Sequence, residues 1–193
     1  MYVKDSTQCK VLSDLHHEDL EALWADLRSI RLPRGFSNII VGVVYQPPDA
    51  NDSAMGDYLV TSLMSLEANF SNCAIILAGD LNKLLLPMVQ SAVKAFDPKP
   101  TVSFPTRGNN TLDQIFTNFP EFFYAPCSLS PFGLCGRRPV SLNARSSSPE
   151  TSAPAKHSMW ADFFPRSLGL TFSRLICHVN SSLELSPTLL TLG

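Results

Sequence analysis

The chain has 193 residues, of which 45% are hydrophobic and 17% charged, with a formal net charge of −2. This composition suits one domain with a real core and excludes a wholly disordered chain. Because the net charge is slightly negative, no overall positive field attracts nucleic acid, so a nucleic-acid function must rest on a local site. Five scattered cysteines without a CxxC pair indicate reduced thiols rather than a zinc site or a disulfide framework.

The chain shows no targeting or membrane segment. The N-terminus lacks the apolar stretch of a secretory signal, and the apolar runs at 39–45 and 73–78 are far shorter than a membrane span. The sequence therefore predicts an intracellular protein, nuclear or cytoplasmic, with no membrane partner.

The first predicted elements are strands and a helix. Two β-like runs, 20–27 and 38–45, are joined by a Pro/Gly turn, which predicts adjacent antiparallel strands. The second run is apolar throughout, as expected for a strand covered on both faces. Ser53 is the predicted N-cap of an amphipathic helix, and a buried strand follows at 73–78. The apolar face of the helix comprises Met55, Leu59, Leu63, Leu66 and Phe70.

The alternation of strands and helices continues beyond this point. Pro87 is a predicted helix start, with an inner face of Val89, Val93 and Phe96. A strand is predicted over 114–118. The order of elements indicates the α/β (α+β) class.

The character of the sequence changes after about residue 142. We predict a domain over 1–142 and a Ser/Pro-rich linker over 143–158. The tail over 159–193 is apolar but has no clean period, so it is left unassigned, with disorder as one interpretation.

An acid and an amide follow the buried strand, in Gly79-Asp80-Leu81-Asn82. Residues i and i+2 of an extended chain point the same way, so Asp80 and Asn82 share a face. One group could accept a proton from water while the other holds a phosphate or orients that water, which suits phosphodiester hydrolysis. The alternative is a pair of ordinary turn residues.

Two more polar residues stand at strand ends. Tyr45 ends the strand at 38–45, where its phenol could donate to a phosphate oxygen or simply cap the core. Asp113 opens the strand at 114–118, where it could orient a histidine or serve as a turn acid. We expect Tyr45, Asp80 and Asp113 to converge on one sheet edge around a phosphate pocket.

Four motifs occur in a characteristic order. They are Tyr-Val-Lys-Asp at 2–5, Gly-Val-Val-Tyr-Gln-Pro-Pro at 42–48, Ile-Leu-Ala-Gly-Asp-Leu-Asn at 76–82, and Pro-Thr-Arg-Gly-Asn-Asn-Thr-Leu-Asp-Gln-Ile-Phe-Thr-Asn at 105–118. Their order and spacing resemble the endonuclease/exonuclease/phosphatase family, and specifically the endonuclease domain of non-LTR retrotransposon polyproteins. The resemblance covers roughly residues 1–142.

This resemblance implies a four-layer α/β-sandwich, in which two β-sheets pack face to face with helices outside and the site lies at one edge. It also implies a Mg²⁺-dependent DNA endonuclease, with DNA as partner and no small-molecule cofactor. Carried onto this chain, Tyr45 would contact the phosphate and Asp80 would position or deprotonate the attacking water. Asn82 would hold the phosphate or that water. Asp113 would orient the catalytic histidine.

The chain departs from the family pattern in two places. The motif at 2–5 resembles the middle of the family's N-terminal half, so the opening strands and the metal-binding glutamate have no counterpart, and the expected sandwich is partial. The closing Ser-Asp-His motif is also lost, because its Asp and His fall on Gly136 and Arg137. Arginine stays protonated and cannot act as a base. We therefore expect a truncated, impaired or inactive endonuclease, with Mg²⁺ and DNA binding weakened or lost.

Two alternative functions stay open. One is a non-enzymatic nucleic-acid or protein-binding module, with Arg28, Arg31 and Arg34 as candidate phosphate contacts, although a solvated turn explains these arginines better. The other is a small phosphoesterase of the same fold, against which the missing histidine and glutamate count just as strongly.

Overall fold

A computed structural model describes residues 7–28, 32, 35–81, 96–129 and 138–145, together with the backbone of 169–173 and 189–192. Its α-helix is α1 (Asp52–Asn69), and two short 3₁₀ turns cover Ser13–Leu15 and Pro120–Phe122. The strands are β1 (Gln8–Val11), β2 (Glu21–Arg28), β3 (Asn38–Tyr45), β4 (Cys73–Asp80), β5 (Lys99–Pro100), β6 (Asp113–Thr117), β7 (Cys127–Ser128), β8 (Val140–Asn143), β9 (Gly169–Ser173) and β10 (Leu189–Leu192).

The larger sheet has six strands in the order β1-β2-β3-β4-β6-β5. Strands β3 and β4 are parallel, and the other neighbours are antiparallel. The predicted antiparallel pairing of the first two long strands is confirmed by the β2–β3 ladder. The two central strands are almost wholly buried, because their side chains are apolar on both faces of the sheet.

Helix α1 makes the crossover that parallel strands β3 and β4 require. The predicted N-cap at Ser53 is wrong, because Asn51 caps the helix instead. Its side-chain oxygen accepts hydrogen bonds from the backbone N–H groups of Ser53 and Ala54, at 2.9 and 3.4 Å. Most of the predicted apolar face is buried as expected, namely Met55, Leu59, Leu63 and Leu66.

Side chains of the larger sheet alternate between two apolar cores. On the helix side, Trp24, Ile40 and Leu77 pack with the buried face of α1. On the other side, Val41 and Ile76 pack with residues that include Val140 and Leu142 of β8. The described residues thus form three layers, helix–sheet–sheet, and belong to the mixed α/β class predicted from the sequence.

The second sheet has the order β10-β9-β8-β7, with every pair antiparallel. Strands β9 and β10 lie in the tail over 159–193 that the sequence left unassigned, where β9 pairs with β8 and β10 pairs with β9. Main-chain hydrogen bonds can pair a strand with a sheet edge without any periodic side-chain pattern, so periodicity does not predict these two strands.

Two sequence expectations fall outside the described residues. The helix predicted from Pro87 lies in the undescribed segment 82–95 except for Phe96. Most of the linker predicted over 143–158 also lies outside the described residues, which end at Arg145 in this part of the chain. Within the described part of the chain, no helix combines the length and apolar character needed to cross a membrane.

Candidate active site

Three predicted site residues lie in one row across the larger sheet. Tyr45 pairs with Asp80 in the parallel β3–β4 ladder, and Asp80 pairs with Asp113 in the antiparallel β4–β6 ladder. Neighbouring strands lie about 4.8 Å apart, so this site row spans roughly 10 Å between its outer backbones. The fourth predicted residue, Asn82, lies outside the described residues.

The side chains of the site row face the second sheet. Alternation along each strand places them on the same side as Val43, Ala78 and Ile115, which belong to the core between the two sheets. Asp80 is only 2% exposed, whereas Tyr45 and Asp113 are half-buried. The row therefore lies at the rim of the sandwich, with its central carboxyl group drawn into the protein.

A residue without a motif extends the row. Glu21 pairs with Tyr45 in the antiparallel β2–β3 ladder, which places an exposed carboxyl group one strand further along the same edge. Glu21 was not predicted as a site residue, because it lies in none of the family motifs.

The strand end at Asp80 depends on Gly79 and Gln46. A Cβ atom on Gly79 would lie 1.8 Å from the carbonyl oxygen of Val44, so only glycine permits this approach of β3 to β4. Beyond it, the Gln46 N–H donates to the Asp80 carbonyl oxygen at 2.9 Å. The Gln46 side-chain amide also donates to Asp52 at the start of α1, at 2.9 Å. These contacts join two strand ends and the helix.

Asp113 is presented by a tight hairpin. Arg107 and Asn110 bond to each other through their backbones, and Gly108 supplies the positive φ of 57° that the turn needs. The hydroxyl oxygen of fully buried Thr106 accepts hydrogen bonds from the N–H groups of Leu112 and Asp113, each at 3.1 Å. The motif that begins Pro-Thr-Arg-Gly therefore fixes the start of β6.

The chain that follows the lost Asp-His positions passes the same hairpin. Gly136 and Arg137 lie outside the described residues, but the next residue, Arg138, donates its N–H to the Thr106 carbonyl oxygen at 2.9 Å. Arg138 itself is exposed.

His17 does not replace the catalytic histidine that the family has at position 137. His17 packs edge-on against the Tyr58 ring, with 5.8 Å between ring centroids, and Tyr58 belongs to the helix-side core. The His17 ring therefore lies on the opposite side of the sheet from the site row.

The row does not form a ready-made magnesium site. Mg²⁺ requires near-octahedral oxygen coordination at short distances. Across the described ranges, no three His, Cys, Asp or Glu side chains lie close enough together to hold a metal ion.

The arginines considered as phosphate contacts do not join the site. Arg28 ends β2 at the opposite end from Glu21, and its guanidinium lies 3.5 Å from the Asp26 carboxylate. Arg31 and Arg34 lie outside the described residues. Two exposed arginines lie at the hairpin that precedes β6. The backbone of Arg107 bonds to that of Asn110, and the N–H of Arg138 donates to the Thr106 carbonyl oxygen.

Comparison with known proteins identifies the architecture. No protein-family model matches the chain, and no curated protein matches it in sequence. Among solved structures, "Endonuclease domain of TRAS1, a telomere-specific non-LTR retrotransposon" matches with a TM-score of 0.56 at 10% identity, over 75% of this chain and 72% of that chain. The chain has the fold of a retrotransposon endonuclease domain. This confirms, for the fold, the resemblance drawn from the four motifs.

A bacterial structure overlaps less. "Crystal structure of beta toxin 275-280 from Staphylococcus aureus" matches with a TM-score of 0.39 at 11% identity, over 65% of this chain and 57% of that chain. An overlap this partial does not indicate a shared fold.

Proposed function

We propose that this chain is a retrotransposon-type DNA endonuclease domain that keeps a phosphate-facing sheet edge and has lost efficient hydrolysis. The observation that supports it is the site row, in which Tyr45, Asp80 and Asp113 stand in register on adjacent strands. Such a row places a hydrogen-bond donor and two carboxyl groups at one rim of an endonuclease fold. Ordinary turn residues would not require this shared register.

Each residue has a distinct role in the proposal. The half-buried phenol of Tyr45 donates a hydrogen bond to a phosphate oxygen. The carboxylate of Asp80 positions the attacking water or accepts its proton, and its burial strengthens that interaction. Asn82 holds the phosphate or the water. Asp113 would orient the family's catalytic histidine, whose position Arg137 occupies in this chain.

The loss of hydrolysis follows from that last step. The family's Asp-His pair falls on Gly136 and Arg137, which offer neither a carboxylate nor a base at working pH. Removing an acid–base partner costs about 10²–10⁴-fold in rate. We therefore expect the chain to bind a phosphodiester without cleaving it efficiently.

Nicking of supercoiled plasmid in Mg²⁺ buffer tests this proposal. We expect the wild-type chain to nick no faster than its Asp80→Asn variant, because the base is already missing. The double substitution Gly136→Asp with Arg137→His should raise the rate at least about tenfold by returning the acid–base pair. Adding Asp113→Asn to that double variant serves as the control and should remove the gain.

Two outcomes would contradict the proposal. Wild-type nicking that Asp80→Asn abolishes would show an active enzyme. Cleavage of a small phosphodiester such as bis-p-nitrophenyl phosphate, without action on plasmid, would favour the phosphoesterase alternative.

Binding to DNA is tested separately. With a net charge of −2 and an acidic row, we expect weak binding that is detectable only at low salt. In a gel shift with a short duplex, Tyr45→Phe should weaken that binding because it removes only the phenolic donor. Equal binding by the variant would show that the row does not contact the phosphate.

A further inference from the structure

The hydrogen bonds of Thr106 join parts of the chain that the proposed reaction needs together. Its side-chain oxygen accepts from the N–H groups of Leu112 and Asp113, at 3.1 Å each. Its carbonyl oxygen accepts from the N–H of Arg138 at 2.9 Å, and its own N–H donates to the Asn110 carbonyl oxygen at 2.9 Å. One residue thus contacts the turn, the start of β6 and the chain leading into β8.

Burial makes these hydrogen bonds consequential. Thr106 has no exposed surface, so water cannot replace its hydroxyl as an acceptor for the two N–H groups. Leu112 is itself held from the other side, because its carbonyl oxygen accepts from the N–H of Leu81, the residue after Asp80, at 3.0 Å. The hairpin is therefore fixed both to the site row and to the backbone at Arg138.

We propose that Thr106 is a positioning residue, which sets Asp113 at a fixed place relative to the chain that enters β8. The family histidine falls on Arg137, one residue before the Arg138 amide that Thr106 holds. The Thr106 hydroxyl oxygen accepts a hydrogen bond from the N–H of Asp113, and the Thr106 carbonyl oxygen accepts one from the N–H of Arg138. This inference rests on the proposed function, but its test does not require catalysis.

Amide hydrogen exchange of the wild-type chain is the first measurement. The N–H groups of Leu112 and Asp113 should exchange as slowly as those at the centre of β6, because the buried hydroxyl protects them. Exchange as fast as that of Asn109 in the turn would overturn the proposal, and this result needs no variant.

Three variants then separate the hydroxyl from general packing. Thr106→Val should lower protection at Leu112 and Asp113 by more than about tenfold, whereas Thr106→Ser should keep it within about threefold. Thr111→Val is the matched control, because the Thr111 hydroxyl bonds to the Phe104 carbonyl oxygen in the same segment without touching the Asp113 amide. It should leave both amides unchanged.

A spectroscopic titration decides whether this geometry is functional. In an Arg137→His background, the Asp113 carboxylate should raise the pKa of the introduced imidazole, and Asp113→Asn should remove that rise. Thr106→Val should remove the rise as well, and Thr106→Ser should restore it. An unchanged imidazole pKa in Thr106→Val, with lost amide protection, would show a merely structural role. Failure to nick plasmid would count against the proposed function while leaving this result intact.

Discussion

The larger sheet buries one carboxyl group towards each end of its strands, Asp26 in β2 and Asp80 in β4, and the two have different surroundings. Asp26 is 3% exposed and accepts a hydrogen bond from the Asn38 side-chain amide at 2.9 Å, with the Arg28 guanidinium 3.5 Å away. Asp80, at the other end, is 2% exposed and stands opposite Asp113 in the antiparallel ladder.

The difference separates a structural charge from a candidate functional one. Asp26 faces donors supplied by its own and the next strand, which is the ordinary way to bury a carboxylate. Asp80 stands opposite another carboxyl group, an arrangement that lowers the stability of a ladder. We therefore propose Asp80 as the candidate functional carboxyl group, since charges in unfavourable surroundings are often found at functional sites.

The largest expected effect concerns the strand approach that creates the site row. Gly79→Ala should destabilise the protein by about 3 kcal/mol or more, because the new Cβ would overlap the Val44 carbonyl oxygen and neither backbone can move alone. The free energy of unfolding from urea titration measures the loss, or the variant fails to show a cooperative transition.

Gly108→Ala is the control for that substitution. Gly108 has a φ of 57° with no atom within 4 Å of a built Cβ, so alanine there suffers only the backbone cost of about 1–2 kcal/mol. Equal losses at the two positions would mean that the β3–β4 approach is not specially tight.

The next effect compares the two buried carboxyl groups directly. Asp26→Asn should cost about 1–2 kcal/mol, because a charge-assisted hydrogen bond becomes a neutral one and an amide N–H₂ faces Arg28. The exposed Arg28 adds little to this figure. Asp80→Asn should cost less than Asp26→Asn, because it removes one of two carboxyl groups that stand opposite each other in the β4–β6 ladder.

Thermal unfolding of both variants at pH 7 measures this contrast. If Asp80→Asn destabilised the protein as much as Asp26→Asn does, Asp80 would have a structural role like that of Asp26.

Most of the sheet could be predicted from the sequence because its signals are local. The unbroken apolar runs at 39–45 and 73–78 indicate strands buried on both faces, and Tyr45, Asp80 and Asp113 are readable as the polar residues that follow or open such runs. Their meeting in one row needed the register, which the motifs suggested only by resemblance.

The remaining features depend on contacts that have no sequence period. Asn51 caps the helix in place of Ser53, because only the folded chain brings its oxygen to the first free N–H groups. Glu21 enters the row through strand pairing. Strands β9 and β10 were not predicted, because they join the sheet through backbone pairing of β9 with β8 and of β10 with β9, without an alternating side-chain pattern.

The smallest effect concerns the thiol of Cys73, which starts β4 at the end of the larger sheet opposite the site row. Burial raises the pKa of Cys73 to about 11, with the nearby Asp26 carboxylate adding to the rise. The Cys73 side chain begins β4 and is buried, whereas the Cys127 side chain is exposed. At pH 8 only about one Cys73 thiol in a thousand is a thiolate, the form that reacts.

Iodoacetamide labelling with peptide mapping should therefore modify Cys127 rapidly and Cys73 only on unfolding. Because the folded pKa of Cys73 is raised, its contribution to stability is complete below the unfolded value of about 8.5 and declines as the pH rises towards 11. Cys73→Ser should leave stability less dependent on pH across that window. Fast labelling of Cys73 at pH 8 in the folded protein would show that this end of the sheet opens easily. The burial of Cys73 and Asp26 would then not indicate a stable structural end of the sheet.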